Sequence, residues 1–377
     1  MKKVGRLQKK TFLSIILILS LMQLSSCYVG RFFWWNFADL NDSKKFPALD
    51  IKKGDYTFYF KRLPENKTFQ IPGKFNPGNK FNDFDEFLQK KKTVSFIVIK
   101  NDTVLYENYF AGYCDSSVIT TFSASKSVIS ALVGIALEEG YIYSTNEPVT
   151  KYIPELVNPG FDKITIENLL NMRSGIKFTE SYSSPFADMP KYYYGTNLLK
   201  YIKKLKVKEE PGKRYDYLSV NTILLGLIIE RATNTKLNKY VEEKLWKPLG
   251  MQYDASWSID SKKHEVFKAN CCLNGRSIDY AKFGRLYLNK GKWEGKQIVP
   301  RKWVERSTSI INDSRDSQGY PYTYQWRVLE NGAFFAKGIL GQYIFVYPAK
   351  NLIFVRQGKG YGKIDWADFF SELSKKL

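Results

Sequence analysis

The chain has 377 residues, 44% of them hydrophobic and 25% charged, with 25 glycines and 14 prolines. These proportions belong to a globular protein and exclude a disordered, collagenous or low-complexity scaffold. The formal charge is +21; Lys2, Lys3, Arg6, Lys9 and Lys10, with no acid nearby, leave +16 on the chain after its first 26 residues. In an exported protein that excess favours anionic lipid headgroups or cell-wall polymers over nucleic acid, although dispersed lysines such as Lys203, Lys204, Lys206 and Lys208 also simply solvate a surface. A single histidine, His264, excludes multi-histidine metal sites. Its surroundings, Ser261-Lys-Lys-His-Glu265, read as a solvated loop and not as the centre of a Ser-His-Asp triad.

At the N-terminus a basic stretch is followed by an apolar run over residues 11–24, too short for a comfortable membrane span, and then by Leu24-Ser25-Ser26-Cys27. This order resembles the bacterial lipoprotein signal. The resemblance implies that residues 1–26 are a signal peptide, that Cys27 is lipidated, and that the protein is held at a membrane of the bacterial cell envelope. Residues 27–90 form an anchor and extension whose aromatic start, with Phe32, Phe33, Trp34, Trp35 and Phe37, suits packing on the domain or on a membrane surface. The other cysteines, Cys114, Cys271 and Cys272, are too few for a disulfide framework; one bridge from Cys114 to Cys271 or Cys272, or free thiols, fit equally.

From residue 91 onward the pattern is that of one α+β domain. Apolar segments at 93–100 and 104–110, joined by Asn101-Asp102, predict a hairpin; segments at 323–329, 333–336, 343–347 and 353–356 predict more, with turns at Asn331-Gly332 and around residues 348–351. Together they predict a mainly antiparallel, five-stranded sheet built from both ends of the chain, closed by a helix at 366–375. Between these ends, helices are predicted at 128–139, 166–172, 222–232 and 237–245, with a helical insertion over about 151–267. The 128–139 segment is apolar nearly all round and therefore buried, against the sheet.

Without a usable histidine, a serine hydrolase can employ lysine as proton acceptor, and Ser-x-x-Lys on a helix brings both side chains to one face. The pattern occurs twice, at Ser123 with Lys126 and at Ser174 with Lys177. Gly175 should end the preceding helix and leave Lys177 outside it, so that pair reads as structural. Ser123 opens the buried helix, where free N–H groups favour developing negative charge, and burial of Lys126 should lower its pKa. Aromatic residues of the helical region, Tyr182, Phe186, Tyr192, Tyr193, Tyr194 and Trp257, are candidates for the walls of a cleft.

Four further stretches join the first: Tyr217-Leu218-Ser219 leading into an apolar run, Ala336-Lys-Gly-Ile-Leu-Gly-Gln342 before a strand, and the framework-like segments 168–175 and 279–288. With these the chain resembles, from about residue 90 to its end, the penicillin-recognising serine hydrolases: class C β-lactamases, D-alanyl peptidases, related esterases and nylon-oligomer hydrolases. The resemblance implies a β-lactamase/transpeptidase-like fold. It makes Ser123 the nucleophile, Lys126 its partner and Tyr217 the general base, with Ser219 and Gly338 as substrate-binding positions. The N–H groups of Ser123 and Ile339 become the oxyanion hole. Position 336, where the β-lactamases carry Lys or His, is alanine, and Lys337 comes one place late. That brings the chain closer to the nylon-oligomer hydrolase and esterase branches.

The reaction so implied is hydrolysis of a small amide or ester through an acyl-enzyme on Ser123, with no metal or organic cofactor. A D-alanyl peptidase or β-lactamase is the alternative enzyme. A catalytically silent cell-wall-binding lipoprotein is the alternative from another class; the ionisable Lys126 and Tyr217 beside a helix-opening serine speak against it.

Overall fold

The computed structural model describes residues 28–35 and 37–377; the predicted signal peptide and Cys27 lie outside the described residues. At its centre is an eight-stranded sheet. Its spatial order is Tyr322–Thr323, Trp326–Val328, Phe334–Gly338, Gln342–Tyr347, Leu352–Gly358, Thr93–Lys100, Thr103–Tyr109 and Lys61–Arg62. Neighbours are antiparallel except the outermost pair, in which Lys61–Arg62 runs parallel to Thr103–Tyr109. Both ends of the chain build it, as the sequence predicts. The Asn101-Asp102 turn has positive φ at both residues (50° and 56°), the geometry of a tight two-residue hairpin that short polar side chains tolerate.

The central strands are apolar on both faces, and their side chains divide with period two. Ile97, Ile99, Ile344, Val346, Ile353 and Val355 belong to the larger core, which also holds the helical region. Phe96, Val98, Phe345 and Phe354 face the opposite way, against Phe369 and Phe370 of the C-terminal helix Trp366–Ser374 and Phe87 of the helix Phe84–Lys90. The sheet is thus the middle of three layers. On the larger-core side the helix directly against it is Ser277–Leu288, where Gly284 lets the backbone come close: an added Cβ would lie 3.0 Å from Ile353 and 3.1 Å from Ile344.

Four expectations need correction. Eight strands replace five, because the predicted 323–329 strand is broken by a turn and the two-residue Lys61–Arg62 strand is too short to leave a pattern. The break falls at Tyr324 and Gln325, both left-handed, with no glycine or asparagine to announce it. Instead, buried hydrogen bonds hold it: the Gln325 side chain donates to the carbonyls of Leu169 and Leu170, and its own backbone carbonyl accepts from Ser127 Oγ. The helical insertion also contains a strand, Ala255–Ser258, which joins Ala48–Ile51, Leu273–Gly275 and Ile119–Thr120 in a second sheet. Helix 237–245 is α-helical only over Leu237–Val241 and widens to a π turn over Glu242–Trp246. Finally, the apolar helix Ser125–Glu138, buried at every position from Ser125 to Ala136, packs mainly on the second long apolar helix, Ser219–Thr233, and meets the sheet mainly along Phe334–Gly338.

Candidate active site

Ser123 lies in a single 3₁₀ turn, Phe122–Ala124, that runs straight into the Ser125–Glu138 helix. The turn is pinned from both sides. Thr121 donates from its backbone N–H and its hydroxyl to the Leu273 carbonyl (3.0 and 3.1 Å), and Ser125 Oγ donates to the Phe122 carbonyl (2.9 Å). Phe122 takes a left-handed φ of 45°, a conformation costly for an aromatic residue and held here immediately before the serine.

Lys126 follows one helical turn later and is 1% exposed. Its ammonium donates to Ser123 Oγ (3.3 Å), Ser219 Oγ (3.3 Å) and the Asn270 carbonyl (2.7 Å), so it sits between two helix starts and a loop and not under the sheet. Burial pulls its pKa from the ordinary 10.5 to about 7; the Glu180 carboxylate works against that fall, and the positive charge of Arg327 adds to it. The other Ser-x-x-Lys pair is different in kind. Ser174 is buried and donates to Asn221 Oδ1 (2.7 Å), while Lys177 is exposed. Gly175 does not end a helix, since the helix Ile166–Leu170 has already stopped. It is glycine because φ is 68° and an added Cβ would lie 2.2 Å from the Glu209 carbonyl oxygen.

Tyr217 comes to the same place from the loop before helix Ser219–Thr233. The Lys126 ammonium lies 5.3 Å from the Tyr217 ring centroid. Burial raises the pKa of the phenol; the Arg327 guanidinium, 5.7 Å from the ring, pulls it back down, and the proximity of the Ser123 hydroxyl helps. Arg327 in turn is oriented by Asp316. The cation acting on the phenol is therefore Arg327 on the sheet, which the sequence did not point to; a lone arginine between Trp326 and Val328 in a buried strand was the available signal.

Ser219 departs from the expected substrate-binding role. It is fully buried, accepts from Lys126 and donates through N–H and Oγ to Glu180 (2.8 and 2.5 Å). It connects Glu180 to Lys126, and Glu180 also accepts from the hydroxyl of Tyr182 (2.7 Å). Nothing in the Glu180 sequence context marked it.

Gly338 ends the strand Phe334–Gly338 beside Ser123, with Ile339 next to it. Backbone packing requires the glycine: an added Cβ would lie 2.3 Å from the Thr121 carbonyl oxygen. The strand end packs directly on the backbone that carries the nucleophile. Beyond it, Leu340 and Gly341 are left-handed (63° and 85°), and the buried guanidinium of Arg356 holds the turn by donating to the Gly341 carbonyl (2.6 Å) and to those of Lys91 and Gly360. Strand alternation turns Ala336 into the core, whereas Lys337 reaches the cleft, bonded to Gln318 and 5.4 Å from the Tyr361 ring; burial brings its pKa to about 8.

Two pockets meet at Ser123. One, of about 300 Å³, is apolar, walled by Phe122, Met189, Pro190, Tyr193, Tyr194 and Leu340 among others. The other, of about 380 Å³, is more polar and holds Tyr217, Asp316, Arg327 and Lys337. Ser123, Tyr182, Ile339 and Tyr361 line both, so the serine stands at the junction of a continuous cleft. Of the aromatic residues expected at its walls, Tyr182, Tyr193 and Tyr194 are there; Tyr192 and Trp257 are core, and Phe186 is exposed. The open question of the cysteines resolves to a bond between the neighbours Cys271 and Cys272, directly after Asn270, with Cys114 exposed and free. Among the described residues no cluster of metal-ligating side chains occurs.

This fold and its site have relatives. The 6-aminohexanoate-dimer hydrolase of Paenarthrobacter ureafaciens is 27% identical over 295 residues, covering 73% of this chain and 74% of that one. A Bacillus anthracis structure with a provisional 6-aminohexanoate-dimer hydrolase designation superimposes with a TM-score of 0.76 at 23% identity, covering 91% and 94% of the two chains. A class C β-lactamase mutant superimposes with a TM-score of 0.61 at 16% identity, covering 78% and 95%. The profile of the beta-lactamase family matches residues 82–357, most of the chain. The chain therefore belongs to the beta-lactamase family and is a serine hydrolase of the β-lactamase/amidase type.

Proposed function

We propose that the protein is an exported, lipid-anchored hydrolase that cleaves an amide or ester through an acyl-enzyme on Ser123. The observation that carries the reading is the contact between Ser123 and a lysine whose pKa burial has brought to about 7, so that near neutrality much of Lys126 is an unprotonated acceptor. As Ser123 Oγ attacks the carbonyl carbon, the Tyr217 hydroxyl takes its proton and gives up its own to neutral Lys126. The C–O bond to serine forms and the carbonyl becomes an oxyanion, received by the N–H groups of Ser123 and Ile339. Collapse breaks the bond to the leaving amine or alcohol, which takes the proton back from the Tyr217 and Lys126 pair. Water then repeats the sequence on the ester, releasing the acid and restoring Ser123. Arg327 opposes the burial-induced rise of the Tyr217 pKa, and Arg356 holds the turn that carries Ile339.

Export and anchoring rest on the basic start, the apolar run and the lipobox-like Leu24-Ser-Ser-Cys27. The relative that hydrolyses 6-aminohexanoate dimers makes linear amides the first substrates to try, with short carboxylic esters beside them. The test is a pre-steady-state assay with a p-nitrophenyl ester. A burst equal to the enzyme concentration, with the acyl group found on Ser123 by mass spectrometry, is expected; turnover without an acyl adduct contradicts the mechanism. A second reading, a peptidase for substrates ending in a carboxylate, is favoured by the side chain of Lys337 in the polar half of the cleft with Arg327. Covalent trapping by a labelled penicillin would select it.

A further inference from the structure

The described chain opens with a helix, Tyr28–Trp35, that has two unlike faces. Phe32 and Trp35 point inward: their rings lie 5.8 Å from that of Tyr194, and Trp35 also packs edge-on against Phe46 (5.4 Å). Phe33 and Trp34 point outward and are 66% and 83% exposed. The helix rests on Asp188–Tyr194, a wall of the apolar pocket, and Arg31 Nε donates to the Tyr194 carbonyl there (2.7 Å). Two residues beyond its end, Phe37 and Ala38 themselves line that pocket. Phe186, 80% exposed, stands just before the same Asp188–Tyr194 helix. Large aromatic side chains left this bare are uncommon on a soluble surface, and here they share two packed elements beside the mouth of the site.

We infer that Phe33, Trp34 and Phe186 seat in the headgroup region of a phospholipid leaflet, and that the apolar half of the cleft takes the hydrocarbon part of an amphiphilic ester or amide drawn from that leaflet. The occupant is a bilayer and not a second protein for three reasons. The apolar run at residues 11–24 ends just before Tyr28, so whether that segment stays in the membrane or is replaced by a lipid on Cys27, the helix starts at the bilayer surface. Tryptophan and phenylalanine are the residues that the water–lipid boundary favours. A net charge of +16 after the first 26 residues suits an anionic leaflet. The wall adjoining this surface, with Met189, Pro190, Tyr193, Tyr194 and Leu340, offers a chain only apolar contacts until it reaches Ser123, while the polar half of the cleft is left for the headgroup side of the scissile bond. The inference rests on the anchored-hydrolase reading, and bond making and breaking are those already given, with water as co-substrate.

The test uses the full chain reconstituted in phosphatidylethanolamine and phosphatidylglycerol vesicles containing brominated phosphatidylcholine. Vesicle flotation, tryptophan quenching and hydrolysis of two esters are read together. The wild type is expected to float with the vesicles and to show a quenched emission component that Trp34→Phe removes. The double variant Phe33→Ser, Trp34→Ser is expected to lose at least about tenfold in turnover of 4-methylumbelliferyl palmitate embedded in the vesicles, with turnover of the soluble acetate ester unchanged. Floating protein whose Trp34 is not quenched overturns the inference and leaves the anchor standing. Equal turnover of the embedded ester by wild type and double variant overturns the substrate assignment. Protein that stays off the vesicles overturns inference and anchor together. Quenching of Trp34 with no hydrolysis of either ester removes the hydrolase reading and the substrate class but upholds the membrane-seated surface.

Discussion

Two stretches of this chain carry the same spacing of serine and lysine, and they have nothing else in common. At Ser123 and Lys126 the serine opens onto a cleft while the lysine is buried among a hydroxyl, a carbonyl and an aromatic ring, with its pKa at about 7. At Ser174 and Lys177 the burial is reversed: the serine is enclosed and donates to Asn221, and the lysine is in water. Spacing brings two side chains near each other, but chemistry requires that the acceptor be dry and the nucleophile reachable. A third lysine sharpens the point. Lys268 is as buried as Lys126 and its pKa also falls to about 7, yet its ammonium donates to the Tyr193 carbonyl (2.5 Å) and lies 4.6 Å from the Phe46 ring, with no nucleophile beside it. Desolvation alone makes a structural lysine; desolvation beside an exposed hydroxyl makes a candidate acceptor.

The largest effect should come from the serines themselves. Ser123→Ala should lower kcat by at least about 10⁴-fold. Ser174→Ala should leave kcat within about twofold and cost about 1–3 kcal/mol of stability in urea unfolding, the value of a buried hydrogen bond whose partner is stranded. Equal losses of activity would end the distinction between the two pairs.

Next come the lysines. Lys126→Met should reduce kcat by about 10²- to 10⁴-fold, and Lys177→Met should not change it measurably. The same pair predicts opposite stability readings. The unfolded chain holds the Lys126 proton with a pKa of 10.5 and the folded chain with one of about 7, so folding at neutral pH works against that proton. Stability attributable to this group rises with pH between about 7 and 10.5. Lys126→Met should therefore raise Tm at pH 7 and flatten that dependence, with Lys177→Met doing neither.

Arg327→Met should lower kcat by about tenfold or more, because the positive charge that opposes the burial-induced rise of the Tyr217 pKa is gone. The smallest effect is a displacement. Glu180 supports the ammonium form of Lys126, so Glu180→Gln should move the acid limb of the kcat/KM profile to lower pH while keeping an acceptor for Ser219. A move to higher pH would contradict the assigned electrostatics.

What could be read from the sequence follows from how local each signal is. The hairpin at Asn101-Asp102, the all-apolar Ser125–Glu138 and Ser219–Thr233 helices and the serine–lysine pair are contiguous patterns, and they were legible. Arg327, Glu180 and Arg356 act on the site from distant segments; only Arg327, alone among apolar strand residues, carries a local signal, and that signal does not name its target. The turn at Tyr324 and Gln325 is held by hydrogen bonds from other helices and not by its own residues, so no turn signal exists. Ser219 was assigned by resemblance to the substrate side; its actual partners, Lys126 and Glu180, come from segments 93 and 39 residues away. The bond between Cys271 and Cys272 joined the one pair of cysteines that spacing had not suggested.

The central claim is that Ser123, and not Ser174, is activated by a lysine that burial leaves about half neutral near pH 7. It is tested most directly by the rate of fluorophosphonate labelling as a function of pH, with the modified peptides located by mass spectrometry. The account predicts a stoichiometric adduct on Ser123 alone, forming at a rate that rises through about pH 7 and loses that rise in Lys126→Met. Labelling of Ser174, or labelling of Ser123 at a rate indifferent to Lys126, would contradict it.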